Sequence, residues 1–120
     1  FLAKQIAPAE LIVSSFSASV AAANLIETQK KNGVFSEITI IINNSRKINN
    51  KTAIDKLKTF SNVFNSKVHA KVAVLKSEKY SFSIVSTGNL STGGNIEYFV
   101  VFSDNDSINF DYGFLRSISV

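Results

Sequence analysis

The chain has 120 residues, of which 45% are hydrophobic and 18% are charged, with 13 basic and 9 acidic side chains. This length and composition predict one folded domain, residues 1–120, and exclude an intrinsically disordered chain. The absence of cysteine excludes disulfide bonds and thiolate metal sites, and the net charge of +4 mildly favours polyanionic partners such as nucleic acid. No apolar run approaches the roughly 20 residues of a membrane span. We expect a cytoplasmic protein, although the composition suits the periplasm or secretion equally.

The first half of the chain alternates strand and helix patterns. Residues 10–16 form a short, apolar, β-branched segment that is typical of a buried strand. A serine-capped helix is predicted to follow and to end at Asn32-Gly33. Residues 37–42 contain four isoleucines, which indicates a central and parallel strand. The helical spacing of the apolar positions in residues 52–60 predicts a second helix.

A two-residue period begins after residue 66 and predicts strands. Valine and alanine positions in the segment 68–74 alternate with His69 and Lys71. The two polar side chains are therefore expected to share one face of a strand, while the opposite face packs on the core. A turn at residues 77–79 and a returning strand over 80–85 would complete a hairpin.

The last third of the chain combines one strong strand pattern, at residues 96–102, with a weak signal in the tail. Residues 89–94 predict a turn or a single helical turn, and residues 96–102 predict another strand. The tail from residue 104 is compatible with a short helix or an edge strand. Together the elements predict an α/β domain, a mixed β-sheet flanked by helices.

His69 is the single histidine in the chain, and with no cysteine it is the one obvious nucleophile or proton shuttle near neutral pH. Taken alone, a histidine on a strand is more often structural than catalytic. Lys71 adds a cation, the segment 86–89 (Ser-Thr-Gly-Asn) adds hydroxyls and an amide, and Glu97 adds a carboxylate. These groups can hold a phosphodiester and attack it without a metal.

The combined pattern of His69-x-Lys71, the segment 86–91 (Ser-Thr-Gly-Asn-Leu-Ser) and Asn95-x-Glu97 resembles the phospholipase D superfamily, the HKD phosphodiesterases. The motifs cover residues 68–102. The resemblance implies a single phospholipase D-like domain. Three positions depart from the family pattern: Lys76 stands where the family has aspartate, and Ser86 and Thr87 stand where it has glycine and serine.

The resemblance also implies a mechanism that uses no cofactor and no metal. His69 would attack phosphorus and form a phosphohistidine, and Lys71 and Asn89 would hold the non-bridging oxygens. Glu97 would accept a hydrogen bond from the second ring nitrogen of His69 and fix its tautomer. The implied catalytic residues are His69, Lys71, Asn89 and Glu97, and the implied substrate-binding residues are Thr87 and Ser86.

This chemistry uses two histidines, so one histidine per chain implies a homodimer with a shared site. The expected activity is that of a phosphodiesterase, a nuclease cutting DNA or RNA with little sequence preference. Three alternatives remain open: a phospholipid phosphodiesterase or transferase, an inactive nucleic-acid-binding module, and a plain α/β domain with a coincidental motif. The candidate phosphate contacts are Lys4, Arg46, Lys47, Lys51, Lys56, Lys58, Lys67, Lys76 and Lys79.

Overall fold

The computed structural model describes residues 2–43, 50–88, 90 and 97–119. The helices in this part of the chain are α1 (Leu2–Gln5), α2 (Val20–Lys31), α3 (Lys51–Lys58) and α4 (Asn105–Ser117). The strands are β1 (Ala9–Ser15), β2 (Phe35–Asn43), β3 (Asn62–Ser66), β4 (Val72–Lys76), β5 (Ser81–Ser86) and β6 (Phe99–Phe102). The predicted fold class, a mixed sheet flanked by helices, is confirmed.

The six strands form one sheet in the order β3-β2-β1-β4-β5-β6. Strands β1, β2 and β3 run parallel, whereas β4 is antiparallel to β1, β5 to β4, and β6 to β5. The carboxyl ends of the three parallel strands therefore lie at the same edge of the sheet as the start of β4 and the end of β5. We call this the upper edge.

Both faces of the central strands are buried, which explains their continuous apolar sequence. On one face Val13, Ile40 and Ile42 pack with Ala23 of α2 and Leu57 of α3. On the other face a second cluster joins strands β1, β2 and β4 to the helix α4. Its buried members are Ile12, Ile41, Val68, Val72, Val74, Ile108 and Leu115.

The boundaries of α2, the first helix predicted from the sequence, follow from local chemistry. The Ser19 hydroxyl accepts a hydrogen bond from the backbone N–H of Ala22 at 3.1 Å, which satisfies a donor at the start of α2. After α2 ends, Gly33 adopts a positive φ of 78°, a conformation that glycine adopts without steric cost. Both the predicted serine cap and the glycine stop are confirmed.

Two segments differ from their predictions. The strand β3 was missed because its five residues include two asparagines and a serine, which weaken the apolar pattern of an edge strand. Strand β4 begins at Val72, not near residue 67, so His69 and Lys71 precede the strand. Ala70, which was predicted to face the core, is exposed.

The tail from residue 104, for which a short helix or an edge strand was expected, forms the helix α4. Asp104 caps its first turn by accepting a hydrogen bond from the Ser107 N–H at 2.9 Å. Near its other end Arg116 forms an ion pair with Glu10 of β1 and donates to the Tyr112 hydroxyl at 3.1 Å. The hydroxyl of Ser83 in β5 donates to Asp111 of α4 as well. These contacts fix the helix against β1 and β5.

Lys76, the residue in place of the family aspartate, belongs to this packing. Its Nζ lies 4.1 Å from the centroid of the Tyr112 ring, an arrangement favourable for a cation–π interaction. Lys76 lies opposite Glu10 in the ladder between β1 and β4. This pair is at the edge of the sheet opposite to the upper edge, which we call the lower edge, and it is away from the residues that were expected to act on phosphorus. Among the described residues, no helix combines the length and the apolar character needed to cross a membrane.

Candidate functional site

The upper edge carries His69 and Lys71 in an extended segment between β3 and β4. The Lys71 Nζ lies 3.4 Å from the His69 Nδ1 and 3.2 Å from the His69 backbone oxygen. His69 is exposed and Lys71 is half-buried. An imidazole and an ammonium group are therefore presented together to solvent, although neither residue lies on the strand that was predicted.

The backbone around His69 is held by polar side chains from two core strands. Asn43, the last residue of β2, donates from Nδ2 to the Val68 carbonyl at 2.5 Å. Ser14 of β1 donates to the Ala70 carbonyl at 2.8 Å and accepts from the Val72 N–H at 3.3 Å. Ser14 and Asn43 are buried, with 1% and 8% of their surface exposed.

The His69 ring also contacts an aromatic side chain. The Phe16 ring, just beyond the end of β1, lies 4.8 Å from the imidazole between centroids, with a tilt of 44°. This offset, tilted arrangement is one that aromatic pairs favour. Phe16 therefore packs against the single imidazole of the chain.

A cavity of about 180 Å³ opens beside Lys71 at the upper edge. Most of its lining is apolar, and the polar residues among those that line it are Lys71, Ser14, Ser15 and Ser86. The Ser86 hydroxyl accepts a hydrogen bond from the Gly88 N–H at 2.8 Å. A small anion in this cavity would meet one cation, Lys71, and the Ser86 hydroxyl. The Ser14 and Ser15 hydroxyls already donate their protons to backbone carbonyls.

Glu97 has a different partner from the one expected. Its carboxylate accepts a hydrogen bond from the Thr87 hydroxyl at 2.5 Å, and Thr87 also accepts from the Tyr98 N–H at 2.9 Å. The structure gives no hydrogen bond between Glu97 and His69, both of which lie in the described part of the chain. A Cβ added at Gly88 would lie 3.3 Å from the Glu97 Cγ, so glycine allows the carboxylate to approach this turn.

Asn89, the fourth implied catalytic residue, lies outside the described residues, as do Asn95 and most of the predicted turn at residues 89–94. Leu90, which is described, is held at the upper edge. Its N–H donates to the Ser15 hydroxyl at 2.9 Å, and its carbonyl accepts from the Ser19 N–H at 2.7 Å. The residue that follows Asn89 is thus anchored to β1 and to the start of α2.

The basic residues proposed as phosphate contacts divide between the two edges. Lys67 is exposed and directly follows β3, at the upper edge. Lys51 and Lys56 form ion pairs with Asp55 and Glu27 at 2.7 and 3.1 Å. Four of the proposed phosphate contacts lie at the lower edge, beside the start of β1 or β3: Lys4, Lys58, Lys76 and Lys79. Two further ones, Arg46 and Lys47, lie outside the described residues.

No metal centre is visible in the described ranges: they contain no group of three or more histidine, aspartate or glutamate side chains placed to hold a metal ion. The donor set at the upper edge instead consists of one imidazole, one ammonium group and several hydroxyls. Such donors suit an anion better than a divalent cation.

No protein-family model matches the chain. No curated protein matches it either. The fold does resemble a solved structure, the polyphosphate kinase from Porphyromonas gingivalis, with a TM-score of 0.66 and 16% sequence identity. The match covers 91% of this chain and 21% of the kinase chain, so this chain spans about a fifth of the matched protein.

These findings correct the expected membership of the phospholipase D superfamily. No family model supports that membership, and the structural match is to a protein named as a polyphosphate kinase. At 16% identity the match shows a shared fold and nothing more specific. The chemistry of the upper edge must therefore be argued from its own side chains.

Ser14 and Asn43 were not predicted to be parts of the site. A signal was present: each is a polar residue near the end of an otherwise apolar strand, β1 or β2. Buried polar side chains require hydrogen-bond partners. Their position near the carboxyl ends of parallel strands, where sites commonly form in α/β sheets, could have indicated their role.

Proposed function

We propose that the chain is a metal-independent phosphodiesterase that cleaves DNA or RNA through a covalent phosphohistidine at His69. The observation that carries the proposal is the pairing of the His69 imidazole with the Lys71 ammonium group at 3.4 Å, beside a small cavity that Lys71 and Ser86 help to line. The imidazole is the nucleophile. The ammonium group stabilises negative charge on the non-bridging oxygens as the transition state forms.

The reaction proceeds in two displacements. In the first, a neutral ring nitrogen of His69 donates its electron pair to phosphorus, a P–N bond forms, and the P–O bond to one sugar breaks. The leaving oxygen takes a proton from a general acid. In the second, water loses a proton to the same acid–base group and attacks phosphorus, the P–N bond breaks, and the products are a free hydroxyl and a phosphomonoester.

The size of the cavity favours a phosphate group over a whole nucleotide. At about 180 Å³ it is smaller than the roughly 300–1,000 Å³ of pockets that enclose drug-sized ligands. A site that binds phosphate without enclosing a base does not distinguish one base sequence from another. This supports cleavage with little sequence preference, and the exposed Lys67 offers a further phosphate contact.

The general acid is assigned to a second copy of the chain. Each copy of these 120 residues has one histidine and no cysteine, and a second copy would supply the second imidazole. A two-fold axis beside the exposed His69 would bring two imidazoles onto one phosphate, one to attack and one to protonate the leaving oxygen. The mass of the protein in solution at assay concentrations tests this step, because a strict monomer contradicts it.

A second candidate is phosphoryl transfer to or from polyphosphate. The fold match to a protein named as a polyphosphate kinase favours it, and the same imidazole and ammonium group would serve. In that case His69 takes a terminal phosphoryl group from the polymer, and an acceptor hydroxyl or phosphate removes it. Both candidate functions form a phosphohistidine at His69. They differ in whether nucleic acid or polyphosphate supplies the phosphoryl group.

To test the proposal, the protein is incubated with labelled single-stranded DNA, RNA or polyphosphate, with EDTA present throughout. Cleavage is followed through the label, and acid-labile adducts of the protein are detected by intact mass. We expect a DNA or RNA adduct that is absent in His69→Ala and reduced in Lys71→Met. Lys58→Met is the matched control, since Lys58 is an exposed lysine at the end of α3, beside the start of β3 and away from the upper edge. An adduct with polyphosphate alone selects the second candidate, and activity that survives His69→Ala contradicts both.

A further inference from the structure

The two peptide carbonyls that bracket His69 both accept hydrogen bonds from buried side chains. The Val68 carbonyl accepts from Asn43 at 2.5 Å, and the Ala70 carbonyl accepts from Ser14 at 2.8 Å. An exposed segment outside a strand normally satisfies its carbonyls with water and remains mobile. Here the backbone on each side of the imidazole is tied to the most buried strands of the sheet.

Ser14 does more than satisfy one carbonyl. The ladder between β1 and β4 ends at the pair Val13 and Ala73, and beyond this pair the chain turns away from β1. The Ser14 hydroxyl then bridges the Ala70 carbonyl and the Val72 N–H. One side chain thus takes the place of the backbone partner that β1 would otherwise provide, and it leaves room for the cavity that Ser14 lines.

We propose that Ser14 and Asn43 are positioning residues that set the orientation of His69. Both side chains form hydrogen bonds with the backbone that carries the imidazole. The Phe16 ring, 4.8 Å from the imidazole, limits its remaining rotation. The effect on catalysis rests on the proposed function of His69, whereas the effect on the geometry of the ring does not.

The single histidine makes the geometry directly measurable. The carbon-bound ring protons of His69 are the only imidazole signals in the NMR spectrum of the chain, and the adjacent Phe16 ring shifts them. In Ser14→Ala and Asn43→Leu we expect these signals to move and broaden as the ring samples more orientations. With bis(4-nitrophenyl) phosphate as substrate, we expect kcat to fall by about 10- to 100-fold with little change in KM.

The matched control is Ser83→Ala. Ser83 is a serine in the same sheet with 0% exposure, and its hydroxyl bonds to Asp111 of α4 instead of the His69 segment. Ser83→Ala should leave the His69 signals unchanged, while it lowers the melting temperature about as much as Ser14→Ala does. Ser14→Thr, which keeps the hydroxyl, should restore both the signals and kcat. If Ser14→Ala fails to fold, Ser14→Thr and Asn43→Leu carry the test.

Unchanged His69 signals in Ser14→Ala and Asn43→Leu would overturn the positioning role, as would an equal loss of kcat in Ser83→Ala. Failure of the proposed function looks different. In that case His69→Ala keeps the activity of the parent chain, while the NMR signals still respond to the Ser14 and Asn43 substitutions.

Discussion

The Thr87 hydroxyl donates its proton to the Glu97 carboxylate at the end of β5. A hydroxyl has one proton to donate, so Thr87 cannot at the same time donate to a substrate oxygen. The same oxygen accepts a hydrogen bond from the Tyr98 N–H, which fixes its position. Glu97 is thereby held by Thr87, not by His69, which was its expected partner.

We therefore expect Thr87→Val to change activity only slightly, by less than about 10-fold, because the hydroxyl is already engaged by Glu97. Thr87→Ser keeps the hydroxyl and should behave as the parent chain does. Initial rates with bis(4-nitrophenyl) phosphate measure the effect. A loss in Thr87→Val as large as that in Lys71→Met would mean that the Thr87 hydroxyl turns toward substrate.

Leu115→Ala should lower the free energy of unfolding by about 2–5 kcal/mol, as expected when a fully buried leucine is truncated. Leu115 has 0% exposure and packs from α4 onto the cluster beneath β1, β2 and β4. The adjacent Phe114 is 38% exposed, so Phe114→Ala is the control and should cost clearly less. Urea titration followed by circular dichroism measures both. Equal, small effects would show that α4 is not integral to the domain.

Asp104 should make the stability of α4 depend on pH. The Ser107 N–H donates a hydrogen bond to the Asp104 carboxylate, and this bond lowers the pKa of Asp104 below its ordinary value of 3.8. The carboxylate therefore stabilises the folded state above pH 3.8, and this contribution is lost as the pH falls through the lower pKa of the folded state. The melting temperature of Asp104→Ala should fall short of the parent value at pH 6, and the difference should shrink as the pH falls below 3.8.

Asp104→Asn separates the charge from the cap. Asparagine is also a good N-cap but does not titrate, so its stability relative to Asp104→Ala should be nearly constant between pH 3 and pH 6. A difference between the parent and Asp104→Ala that widens toward low pH would contradict the assignment.

The exposed strand β6 should promote self-association at high concentration. In the part of the chain that the structure describes, β6 is paired only with β5, and all four of its residues are apolar and exposed. Open, uncharged edge strands of this kind can pair with another chain. Val100, at 54% exposure, lies within the strand, so Val100→Lys should reduce light scattering in concentrated solution. Leu25→Lys, an exposed position on α2, is the control and should have no effect.

The first half of the fold was predictable because each element carries its own signal. The apolar run of β1, the Ser19 cap of α2 and the isoleucines of β2 all agree with their local structure. The hairpin between β4 and β5 was predicted equally well, and its turn is closed by a hydrogen bond from the Ser77 N–H to the Tyr80 carbonyl. In these segments, side-chain period and turn chemistry point to the same structure.

The remaining differences have tertiary causes. The valine alternation before β4 suggested a strand from about residue 67, but Ser14 uses its side chain where β1 would have paired through its backbone. No local pattern around His69 reveals a hydrogen bond from a residue more than 50 positions away. The partner of Glu97 was likewise decided by the approach of Thr87 across the β5–β6 pairing.

The junction of β1 with β4 divides the chain into a parallel half before residue 67 and an antiparallel half after it. Four backbone pairs, from Glu10 with Lys76 to Val13 with Ala73, join the two halves inside the sheet. His69 lies immediately above this seam, on the second half, and its backbone is tied to the first. A chain cut in two near residue 67 would therefore recover a correctly oriented imidazole only when its fragments reassemble, which makes His69 a built-in reporter of fragment complementation.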